Sequence, residues 1–313
     1  MNTKIKVAVI GVGYLGEHHA RIYSKMEGVE LVGVVDTYKD RADSIAAKYN
    51  TKAFYDYKDI LGKVRAVSIV TPTILHYQIA IDFIRFNTDI LIEKPITTTI
   101  SQADSLLVES ESRGVLIQAG HIERFNPAFR LIVEYIKNPR FIESHRTGPF
   151  AGRATDVNVI LDLMIHDIDI ILSLVKADVT DIRAVGTPVL TNHIDIANAR
   201  IEFSNGCVAN LTSSRVSKEK MRKTRIFQPD SYISLDYAEQ SLTMYRRIIE
   251  DNSPKIIEDK ITPEKEEPLF AEIKSFINAV NYGTRPLVSG RDGRDALKIA
   301  LQVQEDAEKR LSE

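Results

Sequence analysis

A chain of 313 residues, 44% hydrophobic and 27% charged, is long enough for two domains and has the composition of a soluble globular protein. Its net charge of -2 gives no reason to expect nucleic acid or an anionic membrane as a partner. The single cysteine, Cys207, excludes an internal disulfide, gives no sign of a structural zinc site, and reads as a small apolar filler on a strand.

The chain opens on an apolar strand, IKVAVI (Ile5–Ile10), that runs into Gly11-Val12-Gly13-Tyr14-Leu15-Gly16. Lys4 and Lys6 before an apolar run resemble a signal peptide. Three glycines and Glu17-His18-His19 break the run, however, so it reads as a buried strand of the mature protein. No stretch supplies about 18 uninterrupted apolar residues, so no membrane span is expected and the chain reads as cytoplasmic. A helix at 14–26 and a strand at 30–36 follow, the strand ending on Asp36, twenty residues after Gly16. Each part suits a dinucleotide. Gly11 permits the tight turn, and Gly13 lets backbone approach a pyrophosphate. Gly16 brings the helix close to the sheet, and Asp36 can accept from ribose hydroxyls. A carboxylate there repels a 2′-phosphate, which favours NAD over NADP, although Arg41 nearby softens that preference.

Further strands are expected at 66–70, 89–92 and 115–119, with helices at 39–48, 74–86 and 100–113. Short apolar runs alternating with amphipathic helices indicate a doubly wound parallel sheet in an α/β domain over residues 1–120. Ligands on such sheets collect at the carboxyl ends of the strands. After about residue 121 the rhythm changes. Helices are expected at 127–137 and 157–175. A strand at 141–147 and strands at 179–188, 194–203, 207–214, 222–228, 231–236 and 240–246 point to a mainly antiparallel sheet, open on one face or packed on helices. Ser204-Asn205-Gly206 reads as a hairpin turn, and residues 250–268, rich in charge and proline, as a surface connection. Helices at 269–282 and 291–311 close a second domain, 121–313.

Several segments carry residues suited to chemistry. Glu93-Lys94-Pro95 ends a strand where ligands gather. Its lysine either hydrogen-bonds a substrate hydroxyl or forms a solvated pair with Glu93. Asp162, His166 and Asp169 fall at i, i+4 and i+7 in an otherwise apolar helix. Acid/base catalysis, a structural polar network and a metal pair without a firm third ligand all remain open there. Thr71-Pro72 followed by His76 places a hydroxyl and an imidazole beside the expected cofactor path, or is simply a helix start capped by Thr73. His121, Arg124 and Asn126 either reach into a cleft between the domains or belong to a polar linker before a helix starting at Pro127. Between Arg215 and Arg225, Arg215, Lys218, Lys220, Arg222, Lys223 and Arg225 face one acid, Glu219. The run is either a solvated loop or a contact for substrate phosphate.

Together these pieces resemble the glucose-fructose oxidoreductase / inositol dehydrogenase (Gfo/Idh/MocA) family. The likeness runs from GVGYLG through TPTILH and EKP to DLMIHDID and SGRDGRDAL. It implies an N-terminal Rossmann domain and a C-terminal α/β domain with an open, mainly antiparallel sheet used for substrate binding and homo-oligomerisation. It also implies NAD as cofactor, no metal, and Lys94, Asp162 and His166 as the catalytic residues. The implied cofactor contacts are Gly11, Gly13, Tyr14, Leu15, Gly16, Asp36, Thr71, Pro72, His76, Glu93 and Lys94. The expected substrate contacts are His121, Arg124, Asn126, Asp162, His166 and Arg215. Many members carry paired glycines where Asp156-Val157-Asn158-Val159 stands, which argues against ordinary hexose or inositol substrates. Within the family, GHIERFNPAF and SRVSKEKMRKTRIF are most similar to bacterial members that oxidise the 3-hydroxyl of UDP-N-acetylglucosamine in lipid A biosynthesis. Other pyranoside or inositol dehydrogenases and a non-catalytic NAD sensor are the alternatives. Retention of Lys94, Asp162 and His166 argues against the sensor. Sequence does not choose between His166 and Lys94 as proton acceptor.

Overall fold

The structure is a computed structural model that describes residues 4–150, 152 and 157–311. The chain divides into two compact units, one of residues 1–122 and 267–297, the other of 123–266 and 298–313. Residues 267–297, which lie in the stretch expected as the second domain, cluster with the first unit. The helix Pro268–Tyr282 (α7 below) lies beyond the second sheet in sequence yet belongs with the first. Its apolar side, Leu269, Ile273, Phe276 and Val280, joins the core that Val7, Val9, Ala20 and Tyr23 form there.

The first unit holds strands β1 (Ile5–Ile10), β2 (Val29–Val35), β3 (Lys52–Phe54), β4 (Ala66–Ile69), β5 (Asp89–Glu93) and β6 (Ile117–Gly120). They pair in parallel in the order β3-β2-β1-β4-β5-β6, which is the Rossmann order. Helices α1 (Tyr14–Lys25), α2 (Lys39–Lys48), α3 (Thr73–Arg85) and α4 (Ile100–Arg113) connect them. The expected elements are found within a residue or two, and β3, three residues long, is added. Thr73 is the first residue of α3 and not its cap; Pro72 precedes the helix with no side-chain capping bond. The strand order reverses between β1 and β4. Gly11–Gly16, Asp36 and Thr71-Pro72 follow β1, β2 and β4 there, at their carboxyl ends.

The second unit begins with α5 (Pro127–Ile132), shorter than the expected 127–137. Its sheet comprises β7 (Phe141–Thr147), β8 (Val179–Thr187), β9 (Ile196–Phe203), β10 (Val208–Ser214), β11 (Met221–Phe227), β12 (Ser231–Asp236), β13 (Ser241–Glu250) and β14 (Ser253–Ile261). The order is β14-β13-β12-β11-β7-β10-β9-β8, antiparallel except for β7 with β10. Burial alternates along β7, β9 and β10, so one face is covered and the other meets water. Ser204-Asn205-Gly206 makes the expected hairpin, with Gly206 at φ +80° and its N–H donating to Phe203 O. Residues 250–268, expected as a surface connection, contain β14. It is an edge strand, where Pro254 leaves no ladder partner unsatisfied.

The helix expected over 157–175 is a π-helical turn, Ile160–Met164, leading into α6 (Ile165–Leu174). Asn158 accepts from the N–H groups of Ile160 and Leu161 and so caps its start. Asp156 lies outside the described residues. Ile160, Met164, Ile165, Ile168 and Ile171 are fully buried, at about 1.5–3 kcal/mol each for burying such a side chain, which anchors the segment beneath the sheet. The chain ends in α7 (Pro268–Tyr282), stopped by Gly283 in the left-handed conformation, and α8 (Gly290–Leu311).

Candidate active site

In the first unit the glycine turn leaves no room for side chains. A Cβ on Gly11, whose φ is +85°, would lie 2.7 Å from Val70 O, and one on Gly16 would lie 1.9 Å from Gly11 O. Gly13 differs: a Cβ there would meet nothing within 4 Å, so the room it leaves is open to a ligand. It precedes α1 without a side-chain capping bond, so the start of the helix, where first-turn N–H groups point outward, faces the room that Gly13 leaves. The Tyr14 ring is exposed, edge-on to His18. Asp36 is buried and accepts from Val12 N (3.1 Å), Tyr38 N (2.9 Å) and Arg41 Nη1 (3.2 Å). A carboxylate offers about four lone-pair positions, so it retains capacity for a ribose hydroxyl. Arg41 lies over the Tyr38 ring with 45% of its side chain exposed.

Gly11, Gly13, Asp36, Tyr38 and Arg41 line a cleft of about 740 Å³ together with Val35, Tyr55, Val70, Thr71, Pro72 and Leu75. Thr71 Oγ1 is shut off from water with no hydrogen-bond partner among the described residues. Such a hydroxyl is costly unless a ligand satisfies it. The open face at Gly13, the helix start beside it, the spare capacity of Asp36 and this hydroxyl all fit a dinucleotide.

His76 does not line this cleft. It is buried, with Nε2 2.8 Å from Thr71 O and Nδ1 2.9 Å from Pro95 O. Burial pushes its pKa down, against the two carbonyls, which accept only from a protonated nitrogen; the neutral ring has one N–H and donates to one of them, the Thr71 turn or the loop that carries Lys94. Glu93 ends β5, packs against Gly120, where a Cβ would come within 2.9 Å of its carboxyl carbon, and accepts from Lys94 N. Its other oxygen lies 3.5 Å from Nε2 of His19, a fully buried imidazole of α1 that sequence reasoning overlooked. Lys94 is half-buried, and its peptide bond to Pro95 is cis. His121 follows β6 and is buried, its N–H donating to Ala119 O.

In the second unit, a cleft of about 470 Å³ is lined by Arg146, Thr147, Gly148, Pro149, Asp162, Leu163, Ser214, Arg215, Lys220 and Arg222. Asp162 and His166 are half-buried, on the π-helical turn and the first turn of α6. Asp169, grouped with them by its spacing, is buried and pairs with Arg124 at 3.4 Å. Among the described residues no three His, Cys, Asp or Glu side chains converge as a metal's ligands would.

Three expected substrate contacts have partners within the protein. Arg124 faces Asp169. Asn126 caps α5 through its Oδ1 and donates to Tyr237 O through its Nδ2, with 1% of its surface exposed. Arg215 is buried, donating to Asp195 Oδ1 (2.7 Å) and Val157 O (2.7 Å). Sequence reasoning missed two further groups. Arg146, inward on β7, binds Asp167 with two hydrogen bonds and Glu123 with a third. Asp195 gathers the N–H groups of Val189, Leu190 and Thr191 besides Arg215. The strict alternation of FIESHRT carried the signal for Arg146, since it puts Ile142, Ser144 and Arg146 on one face.

Burial alone would raise the Asp195 pKa. The backbone N–H donors outweigh it and hold the carboxyl well below its ordinary range. A depressed folded pKa stabilises the protein fully above the unfolded value, about 3.9, and that contribution is lost as pH falls towards the folded value. Asp195→Asn is therefore expected to cost about 1.5–3 kcal/mol at neutral pH and markedly less near pH 3, as read by urea unfolding at both. An equal cost at both pH values would show that the ionised form is not what matters.

A parallel sheet in Rossmann order with a dinucleotide cradle, joined to an open, mainly antiparallel sheet, defines a two-unit oxidoreductase. Residues 5–121 match the oxidoreductase family model with the NAD-binding Rossmann fold, and residues 135–230 match the GFO/IDH/MocA C-terminal domain. The chain belongs to the Gfo/Idh/MocA family of NAD-binding oxidoreductases. It is 38% identical over 306 residues, 96% of each chain, to the UDP-N-acetylglucosamine 3-dehydrogenase of Acidithiobacillus ferrooxidans. A solved structure of that enzyme, GnnA, superposes with a TM-score of 0.92 at 37% identity, covering 98% of both chains. The scyllo-inositol 2-dehydrogenase (NAD(+)) of Bacillus subtilis is 27% identical over 96% of this chain and 93% of its own. Among the described residues no helix is long and apolar enough to cross a membrane.

Proposed function

We propose that this protein oxidises the 3-hydroxyl of UDP-N-acetylglucosamine with NAD. The observation that carries this reading is the end-to-end likeness, 38% identity over 96% of both chains, to an enzyme named for that reaction. In this reading the first unit binds the dinucleotide. The α1 N-terminus and Gly13 receive the pyrophosphate, Asp36 the adenosine ribose, and the Thr71-Pro72 turn, Glu93 and Lys94 the remainder. The second unit holds the substrate and carries homo-oligomer contacts. When bound, the nicotinamide supplies the hydride acceptor. His166 takes the proton of the 3-hydroxyl, Asp162 orients the imidazole and supports its positive charge, and Lys94 donates a hydrogen bond to the developing alkoxide. The same reading places the enzyme in the cytoplasm, ahead of an aminotransferase that builds a 3-amino sugar for lipid A.

The test is the rise in near-ultraviolet absorbance as nicotinamide is reduced, with NAD and a panel of UDP-N-acetylglucosamine, glucose and myo-inositol. Signal with the sugar nucleotide alone is expected. Signal with myo-inositol or glucose instead would overturn the substrate, and NAD binding without turnover of any substrate would favour a sensor.

NAD is favoured over NADP because the Asp36 carboxylate repels a 2′-phosphate, although Arg41 beside it offers that phosphate a counter-charge. Asp36→Ala is expected to lower kcat/KM for NAD by roughly 10- to 100-fold, the cost of a charged hydrogen bond, and to raise the relative use of NADP. An unchanged ratio of the two cofactors would remove Asp36 from the selection.

A further inference from the structure

The basic run from Arg215 to Arg225 does not act as one patch, because the strand it enters sends alternate side chains to opposite faces. Lys223 and Arg225 lie on one face of β11, paired with Asp236 at 3.2 Å and Glu143 at 3.7 Å. Thr224 and Ile226, on the other face, are buried, and Arg222 shares that side, opposite Arg146 in the register. Arg215 is tied to Asp195. Lys218 lies outside the cleft lining, leaving Lys220 and Arg222 at the cleft that Asp162 also lines. Lys220 is exposed and forms no ion pair with another described residue. The Arg222 side chain is 41% exposed, and its nearest carboxylate, Glu123 at 3.9 Å, is already held by Arg146 at 2.8 Å.

We infer that Lys220 and Arg222 form the subsite for the diphosphate of the substrate, within reach of a sugar held at Asp162. This rests on the reading of the substrate as a sugar nucleotide. A volume of about 470 Å³ lies in the ordinary range for a small-molecule site. Arg146 and Arg215, which also line it, are neutralised by Glu123, Asp167 and Asp195, so the positive charge offered to a ligand comes from Lys220 and Arg222. Arg222 supplies a planar fork of donors suited to phosphate oxygens, and Lys220 a mobile point charge. A bare polyol gains nothing from either, so the subsite also selects against inositol and free sugars.

The experiment uses the full chain with Lys220→Gln, Arg222→Gln, the double variant and Lys223→Gln from the opposite face. At saturating NAD, each of the first two is expected to raise KM for UDP-N-acetylglucosamine by about tenfold and the double variant by about a hundredfold, with kcat within about threefold. Lys223→Gln should change KM by less than about twofold, as expected for an exposed pair. Inorganic pyrophosphate should compete with the sugar nucleotide on wild type, less so as salt rises, and fail to compete on the double variant. Lys220→Gln carries the test on its own should Arg222→Gln disturb Glu123 and lower the melting temperature. A wild-type enzyme that turns over UDP-N-acetylglucosamine, with a double-variant KM within twofold, would overturn the subsite. Should no UDP-sugar be oxidised while pyrophosphate binds wild type and not the double variant, by calorimetry with NAD present, the subsite stands and the proposed substrate falls.

Discussion

Lys94→Ala is expected to lower kcat by about two to four powers of ten and to leave the affinity for NAD within a few-fold. The lysine ends a buried strand whose neighbours fix it closely. Glu93 is wedged against Gly120 and accepts from the Lys94 N–H, and His76 Nδ1 packs 2.9 Å from the Pro95 carbonyl oxygen. In the proposed reading Gly11 to Gly16 and Asp36 hold the pyrophosphate and the adenosine ribose, so losing the ammonium removes the hydrogen bond to the developing alkoxide more than it removes binding. Lys94→Arg should not rescue, because a guanidinium is larger and planar and does not bring its donors to the point the compact ammonium reaches. Steady-state kinetics with UDP-N-acetylglucosamine, beside NAD titration by fluorescence, separates the two effects. Full turnover by Lys94→Ala would end the assignment. A loss of NAD binding equal to the loss of turnover would make Lys94 a cofactor contact and nothing more.

The first unit was the more legible in the sequence, for a physical reason. Its strands are buried on both faces and its helices on one, so hydrophobic period alone distinguishes them, and the glycine turn and Asp36 sit at element ends where turn chemistry is explicit. The second unit hides more. β14 is an exposed edge strand carrying Lys255, Glu258, Asp259 and Lys260 with a proline, SPKIIEDKI, a composition close to that of a loop. The π-helical turn at Ile160–Met164 has no compositional mark and reads as ordinary helix. Least legible was the use to which polar side chains are put. Arg215 meets Asp195 twenty residues away, Arg124 meets Asp169 across 45, and Asn126 meets Tyr237 across 111. A polar residue near a motif is equally compatible with holding a substrate or holding the fold, and only the distant partner decides. Lys220 and Arg222 became distinguishable from their neighbours once β11 fixed which side chains share a face.

Asp167→Ala is expected to destabilise the second unit by about 3–5 kcal/mol, the cost of leaving one member of a buried ion pair behind. Arg146 is 3% exposed, donates from Nε and Nη2 to the two oxygens of Asp167 at 2.9 and 3.0 Å, and donates from Nη1 to Glu123 at 2.8 Å. Burial drives the guanidinium towards neutrality; the two carboxylates outweigh it and hold it charged. Removing Asp167 strips two charge-assisted bonds and leaves a cation in the core with one partner. Combining Arg146→Met with Asp167→Leu should recover most of the loss, since an apolar pair of similar volume often does as well as a buried ion pair, and Glu123 keeps Arg222 nearby. Urea unfolding of the single and double variants measures this. A cost below about 1 kcal/mol for Asp167→Ala would mean the pair is not held as described. The contrast with Asp162, five residues earlier in the same motif, is the sharper test. Asp162→Asn, on the half-buried cleft wall, should depress kcat and scarcely move the melting temperature, whereas Asp167→Asn should do the reverse. Were the two effects exchanged, the carboxylate that serves His166 would be Asp167, and the basic cleft beside Asp162 would lose its place in the reaction.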